Sequence, residues 1–180
     1  VMVYTDASEH SYGTGFIIAP NGIVATSYHI FANKYDLYKI DGKRGAIILS
    51  DNKSLYPIIS VLYADIEKDL IIVKIDGKNK KFPTVKLGNS SLIKPGGRII
   101  TIGNSAGFLN TVLDGLITGL KKNLTTELIQ YSNPVEGGNS GGGLFNSQGQ
   151  VIGIANSGIT SFYGINFATP INDLKELINK

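Results

Sequence analysis

A rhythm of short apolar runs limits this fold more than any other feature. From Gly15 to Ala168, Val, Ile, Leu, Tyr and Phe gather in runs of about four to seven residues closed by glycine, asparagine or proline, as in half-buried strands. Gly15–Ala19 and Ile23–Thr26 read as strands joined by the turn Pro20-Asn21-Gly22, because Asn-Gly accepts the positive φ that a tight hairpin demands. Further strands are expected at Ala46–Ser50, Tyr56–Leu62, Asp69–Ile75 with Asp69 at its head, Arg98–Ile102, Leu116–Leu120, Glu127–Tyr131, Gly143–Phe145, Val151–Ala155 and Gly164–Ala168; Val1–Tyr4 is strand-like too. Helical spacing occurs in two places. Tyr28–Phe31 allows a single turn. Pro170–Lys180 sets Ile171, Leu174, Leu177 and Ile178 on one face behind an initial proline, the pattern of an amphipathic helix covering the end of a core. The chain therefore reads as nearly all-β, a sandwich or barrel with a terminal helix.

The basic stretch Gly77-Lys78-Asn79-Lys80-Lys81 reads as a solvated connection, dividing the chain into residues 1–80 and 81–180. With 180 residues, 42% of them hydrophobic, the chain suffices for one large domain or two small ones sharing an interface. Seventeen basic residues against 14 acidic leave a net charge of +3, scattered rather than massed, so no nucleic-acid partner is expected. There are no cysteines, which excludes disulfide frameworks, cysteine–zinc sites and thiol nucleophiles. The only histidines are His10 and His29, so a multi-histidine metal site is not expected, nor any cofactor. No run approaches the roughly 18–20 apolar residues of a membrane-spanning helix. No targeting segment is visible, and Val1 as first residue reads as a processed or trimmed form.

The chemistry concentrates in Glu136-Gly137-Gly138-Asn139-Ser140-Gly141-Gly142-Gly143. Glycines let successive backbone N–H groups converge on one point, where they stabilise a developing oxyanion beside a serine nucleophile. Taken alone, the same stretch also reads as a plain glycine-rich turn or an anion-binding loop. A serine needs a base. His29 follows the apolar strand ending at Thr26, whereas His10 sits in the polar loop Asp6–Tyr12; a lone histidine is otherwise a surface or structural residue. Asp69, heading Leu70-Ile71-Ile72-Val73-Lys74-Ile75, is either a strand-end cap or the buried acceptor that orients such a base. The order His29, Asp69, Ser140 is the chymotrypsin order, unlike those of subtilisin and the α/β-hydrolases.

Six fragments in this order resemble the trypsin-like serine proteases, and among them the HtrA (Deg) branch, over nearly the whole chain. They are Gly13-Thr14-Gly15-Phe16-Ile17-Ile18 with Asn21-Gly22, Ala25-Thr26-Ser27-Tyr28-His29, and Lys68-Asp69-Leu70-Ile71-Ile72-Val73-Lys74. The others are Ile102-Gly103-Asn104 with Asn110-Thr111-Val112 and Gly115-Leu116-Ile117, the serine motif Gly138–Gly142 with Gly149-Gln150-Val151-Ile152-Gly153-Ile154, and Phe167-Ala168-Thr169-Pro170. The resemblance implies two packed six-stranded antiparallel β-barrels with a C-terminal helix and a site in the cleft between them. It implies a serine endopeptidase in which Ser140 attacks, His29 moves the proton, Asp69 holds His29, and the N–H groups of Gly138 and Ser140 form the oxyanion hole. Asn139 stands where the digestive enzymes have an aspartate that pairs with a freed N-terminus, so activation by N-terminal cleavage is not expected. Two departures concern the same loop: Gly143 replaces a common proline, and Pro134 and Glu136-Gly137 are unusual before the oxyanion glycine.

By the same resemblance Pro134, Val135, Glu136, Gly137, Asn156, Ser157, Gly158 and Ile165, with Asn166 beside it, surround the primary pocket. No acid lies at its base, no histidine precedes Asn156, and Ile165 shortens it, so cleavage after small or medium apolar residues is expected. Partners would be protein or peptide substrates, in an extracytoplasmic or secreted bacterial setting, and no PDZ-type domain is expected within these residues. A different class stays open: a catalytically silent or latent protein-binding module on the same fold. A glutamyl-type protease or toxin relative would share the chemistry but not the pocket.

Overall fold

Gly22 takes a φ of +87°, which its missing side chain permits, and turns β2 (Ser11–Ala19) into β3 (Ile23–Ser27). The computed structural model describes residues 1–5, 11–31, 45–49, 54–105, 108–122, 126–134, 137–158 and 164–179. β1 (Met2–Thr5), β4 (Gly45–Ile48), β5 (Leu55–Asp65) and β6 (Leu70–Ile75) complete a first barrel in the order β1-β2-β3-β6-β5-β4, closed by antiparallel pairing of β1 with β4. The second barrel uses β8 (Arg98–Gly103), β9 (Thr111–Lys122), β10 (Glu127–Tyr131), β11 (Gly143–Phe145), β12 (Gln150–Gly158) and β13 (Asn166–Pro170). Its order is β11-β8-β9-β10-β13-β12, closed by β11 on β12, with the two-residue β7 (Lys86–Leu87) added parallel to β12. This is the chymotrypsin-like pair of six-stranded barrels.

An antiparallel strand with one wet face alternates apolar and polar residues, yet β6 is almost continuously apolar. Both of its faces are buried. Ile71, Val73 and Ile75 point into the first barrel with Val3, Ile17, Val24 and Ile47. Leu70 and Ile72 point the other way, with Phe16 and Ala25, onto Val151 and Ile154 of the second barrel. The period-two geometry of a strand thus builds two cores from one run.

α1 (Ile171–Ile178) closes the seam between the barrels rather than the end of one core. Ile171, Leu174 and Leu177 join the Leu70–Ile154 cluster. Ile178, expected on that face, is exposed at the helix end. Among the described residues no helix is long and apolar enough to cross a membrane.

Several boundaries differ from expectation. β2 begins at Ser11, because its polar start pairs with β1 in the register Tyr4↔Tyr12 and Thr5↔Ser11. β9 runs from Thr111, through Asp114 and Gly115, because ladders to β8 and β10 hold its backbone whatever its side chains. β13 starts at Asn166, after Gly164 at φ +80°. Ser50 lies outside the described residues. The basic connection is not merely solvated. Lys80 Nζ reaches the Tyr56 hydroxyl at 2.9 Å and lies 5.4 Å from that ring and 5.6 Å from Phe82, which is buried edge-on against Tyr56.

Leu174 is fully buried at the seam. Leu174→Ala is expected to destabilise the protein by about 2–5 kcal/mol in urea unfolding, through lost transfer energy and the cavity left behind.

Candidate active site

β3 and β6 pair in a register that ends at Ser27↔Leu70. The chain leaves β3 through a short 3-10 turn, Tyr28–Ile30, while the turn Ile66–Asp69 enters β6. His29 and Asp69 therefore face each other at the same end of the ladder. Asp69 lies outside the strand it was expected to head, at φ +53°, a left-handed conformation that aspartate tolerates better than most residues. In that pose its carbonyl accepts from Tyr28 N at 3.2 Å and Oδ1 from His29 N at 2.8 Å, while Oδ2 lies 2.7 Å from His29 Nδ1. A carboxylate only accepts, so Nδ1 is the donor in this contact, and in the neutral tautomer that it selects the lone pair is on Nε2. Asp69 is mostly buried and the His29 ring half-exposed.

The Asp69 turn is held from the second barrel. Thr169 Oγ1 on β13 donates to the Lys68 carbonyl at 2.7 Å and accepts from Asn156 Nδ2 at 2.7 Å. The Lys68 ammonium reaches Asp173 of α1 at 2.9 Å and Glu176 at 3.5 Å. Desolvation pulls the Lys68 pKa down, but the hydrogen bonds and charges of Asp173 and Glu176 outweigh it, and the net shift is upward.

Ser140 sits in a loop that is wedged rather than slack. Gly138 has φ +100° and Gly141 φ +83°. A Cβ on Gly141 would overlap the Thr14 carbonyl oxygen and Thr26 Oγ1, so glycine is required there by close approach as well as by φ. The Ser140 carbonyl accepts from Thr14 N at 2.7 Å, and Gly141 N donates to the Ala155 carbonyl at 2.7 Å. Asn139 Nδ2 donates to Ser105 Oγ at 2.8 Å, a side-chain partner on the second barrel. Ser27 Oγ, two residues before His29, donates to the same Ala155 carbonyl at 3.1 Å. The His29 turn and the Ser140 loop thus converge on Ala155–Asn156 of β12. The Ser140 hydroxyl itself donates to the Asn156 carbonyl at 2.9 Å, not to the His29 ring. Among the described residues, no hydrogen bond from the Gly138 or Ser140 N–H to another group is present.

The proposed pocket is placed in part. Asn156 and Ile165 are half-buried, Pro134 and Gly137 exposed. β12 and β13 pair Ser157↔Phe167 and Gly158↔Asn166, which sets 156–158 beside 166–167. Val135, Glu136 and His10 lie outside the described residues, as does the side chain of Ser157. Asn166 is 5% exposed and its Nδ2 donates to the Asn133 carbonyl. Asn133, in turn, reaches Thr101 Oγ1 at 3.1 Å and the Leu113 carbonyl at 2.8 Å. Sequence reasoning gave no role to Thr14, Asn104, Asn133 or Thr169. The one available signal was their kind, polar side chains in otherwise apolar strands or directly beside them.

A closed pair of antiparallel barrels, with a His–Asp pair at the lip of the first and a serine in a glycine loop on the second, is the architecture of a chymotrypsin-like peptidase. The trypsin-like peptidase domain family matches residues 13–154, and the chain belongs to that family. It is 35% identical over 178 residues to a protein of Pseudomonas savastanoi pv. phaseolicola named "Probable periplasmic serine endoprotease DegP-like", covering 94% of this chain and 34% of that one. A Rickettsia prowazekii protein of the same name is 35% identical over 179 residues, covering 93% of this chain and 33% of its own length. The chain spans about a third of the length of these curated relatives. Among solved structures, the HtrA-type protease AlgW with a tripeptide superposes with a TM-score of 0.81 at 28% identity, covering 99% of this chain and 58% of that one. Within the trypsin-like family the chain is therefore HtrA-like.

Thr169→Val removes the hydroxyl that joins Lys68 to Asn156 and leaves both groups without this partner. It is expected to lower stability by about 1–3 kcal/mol in urea unfolding, with Thr169→Ser recovering most of the loss.

Proposed function

We propose that this chain is the protease domain of a serine endopeptidase, with residues 1–80 and 81–180 as its two half-domains. The observation that carries the reading is the 2.7 Å contact of Asp69 Oδ2 with His29 Nδ1, made beside a serine loop whose carbonyl is bonded across the barrels. Asp69 holds the imidazole with Nε2 unprotonated. Ser140 Oγ turns from the Asn156 carbonyl toward His29, gives its proton to Nε2 and bonds to the carbonyl carbon of the scissile peptide. The oxygen that gains charge is held by the N–H groups of Gly138 and Ser140. Collapse breaks the C–N bond, the amine leaves with the proton from Nε2, and an acyl-enzyme remains. Water then attacks through the same base, which releases the acid and restores Ser140. No metal or cofactor enters these steps.

Substrates are proteins or peptides cleaved after small or medium apolar residues. Support comes from the proposed pocket residues that the structure describes, Pro134, Gly137, Asn156 and Ile165, none of which carries a charge, and from the engagement of Asn166 with a backbone carbonyl. An extracytoplasmic setting follows the names of the periplasmic relatives.

A fluorophosphonate probe is expected to label the wild type and not Ser140→Ala. His29→Ala should lower peptide hydrolysis by about 10⁴-fold or more. A well-folded wild type that takes no label would instead identify a silent or latent binding module. In a peptide library, cleavage after Ala, Val or Leu is expected to exceed cleavage after Arg, Lys or Glu by about tenfold or more; a profile led by the charged residues overturns the pocket assignment.

A further inference from the structure

Thr14 lies on β2 of the first barrel, 3% exposed, and no step of the proposed reaction uses its side chain. Its hydroxyl nevertheless makes three hydrogen bonds. Oγ1 donates to the Gly138 carbonyl at 2.6 Å. It accepts from the Asn104 backbone N–H at 3.0 Å and from Asn104 Nδ2 at 2.9 Å. A hydroxyl has one proton and two lone pairs, so every valence is used and the direction of the O–H is fixed. The Thr14 backbone N–H meanwhile donates to the Ser140 carbonyl at 2.7 Å. One buried residue of the first barrel therefore grips the two loop residues whose N–H groups would hold the oxyanion.

The grip falls where the loop has least stiffness of its own. Gly137 and Gly138 have no side chains, and a Cβ placed on Gly137 would meet nothing within 4 Å. Glycine crosses between φ regions at little steric cost, so Gly138 depends on bonds from outside to stay at φ +100°. Asn104, directly after β8, aims the hydroxyl and is itself tied to the first barrel through Nδ2 to the Val1 carbonyl at 3.2 Å. We infer that Thr14 is a positioning residue: its hydroxyl holds the Gly138 carbonyl and so the Gly138–Asn139 peptide plane, its N–H holds the Ser140 carbonyl, and with both points pinned the loop cannot turn about Gly138, which keeps the oxyanion hole assembled. The inference rests on the proposed protease reading.

The test uses the full chain with Thr14→Val, which keeps the branched shape and removes the hydroxyl, and Thr14→Ser, which keeps the hydroxyl. With a good peptide from the library, Thr14→Val is expected to lower kcat by about 10²–10³-fold, the cost of losing one oxyanion donor, with KM changed little. Thr14→Ser should stay within a few-fold of wild type. In a Ser140→Ala background, the Gly138 amide resonance should shift or broaden with Thr14→Val and not with Thr14→Ser, while core resonances hold. Should Thr14→Val fail to fold, Thr14→Ala replaces it, since the smaller side chain admits water to Asn104. A kcat equal to wild type in the variant lacking the hydroxyl overturns the inference, as does equal loss in Thr14→Ser. A wild type that neither cleaves nor labels refutes the protease reading instead; the Gly138 resonance then decides the Thr14 claim alone, and its indifference to the lost hydroxyl overturns it.

Discussion

Phe16, Ala25, Leu70 and Ile72 of the first barrel pack on Val151 and Ile154 of the second, with Ile171, Leu174 and Leu177 of α1 sealing the edge, and the rest of the molecule is organised by that contact. It is apolar, so its strength is that of buried area rather than of any directed bond. Yet it dictates direction. Two of the strands that supply it, β3 and β6, are the same strands whose ends present His29 and Asp69. β12, which supplies the opposite wall, carries the Ala155 and Asn156 carbonyls on which Ser27 and the Ser140 loop rest. Packing sets the distance between the barrels, and that distance decides whether the polar groups at its rim can meet.

At the rim the chemistry changes from area to hydrogen bonds. Thr14, Thr26, Ser27, Asn104 and Thr169 are all buried and all bonded. A buried polar group left without a partner costs more than a bonded one contributes, so this cluster tolerates one arrangement of the two barrels and penalises slippage. Among the described residues, the buried side-chain acceptors without a partner are Oδ1 of Asn133, Asn139 and Asn156. Asn139 and Asn156 border Ser140 directly: one precedes it in the chain, the other receives its hydroxyl.

Much of the fold was legible in the sequence because one physical rule governed each legible part. The run Leu70–Ile75 is apolar at every position but Lys74, and a strand with two buried faces requires that. Asn21-Gly22 named its turn, and Pro170 the start of α1. The misses share a cause as well. By sequence Asp69 heads β6, but its left-handed turn arises from its bonds to Tyr28 and His29, which no local pattern encodes. Lys80 looked solvated because Tyr56 and Phe82 meet it only after the barrel closes. Thr14 lies in the Gly13–Ile18 run with no role legible there, since the value of its hydroxyl depends on Asn104 and Gly138, 90 and 124 residues further on. Candidate residues were readable by kind and order. The bonds that aim them were not, because each joins distant parts of the chain.

Those same separations carry a temporal consequence. The His29–Asp69 contact spans 40 residues, but Thr169 reaches Lys68 across 101, Lys68 reaches Asp173 across 105, and Ser27 reaches Ala155 across 128. Loop-closure entropy makes such contacts late ones for a folding chain. During vectorial synthesis the bonds that hold the Asp69 turn and those that seat the serine loop alike wait for the last quarter of the sequence. An incomplete chain therefore lacks a seated nucleophile, because the Ala155 and Asn156 carbonyls on which the Ser140 loop rests follow Ser140 in the sequence.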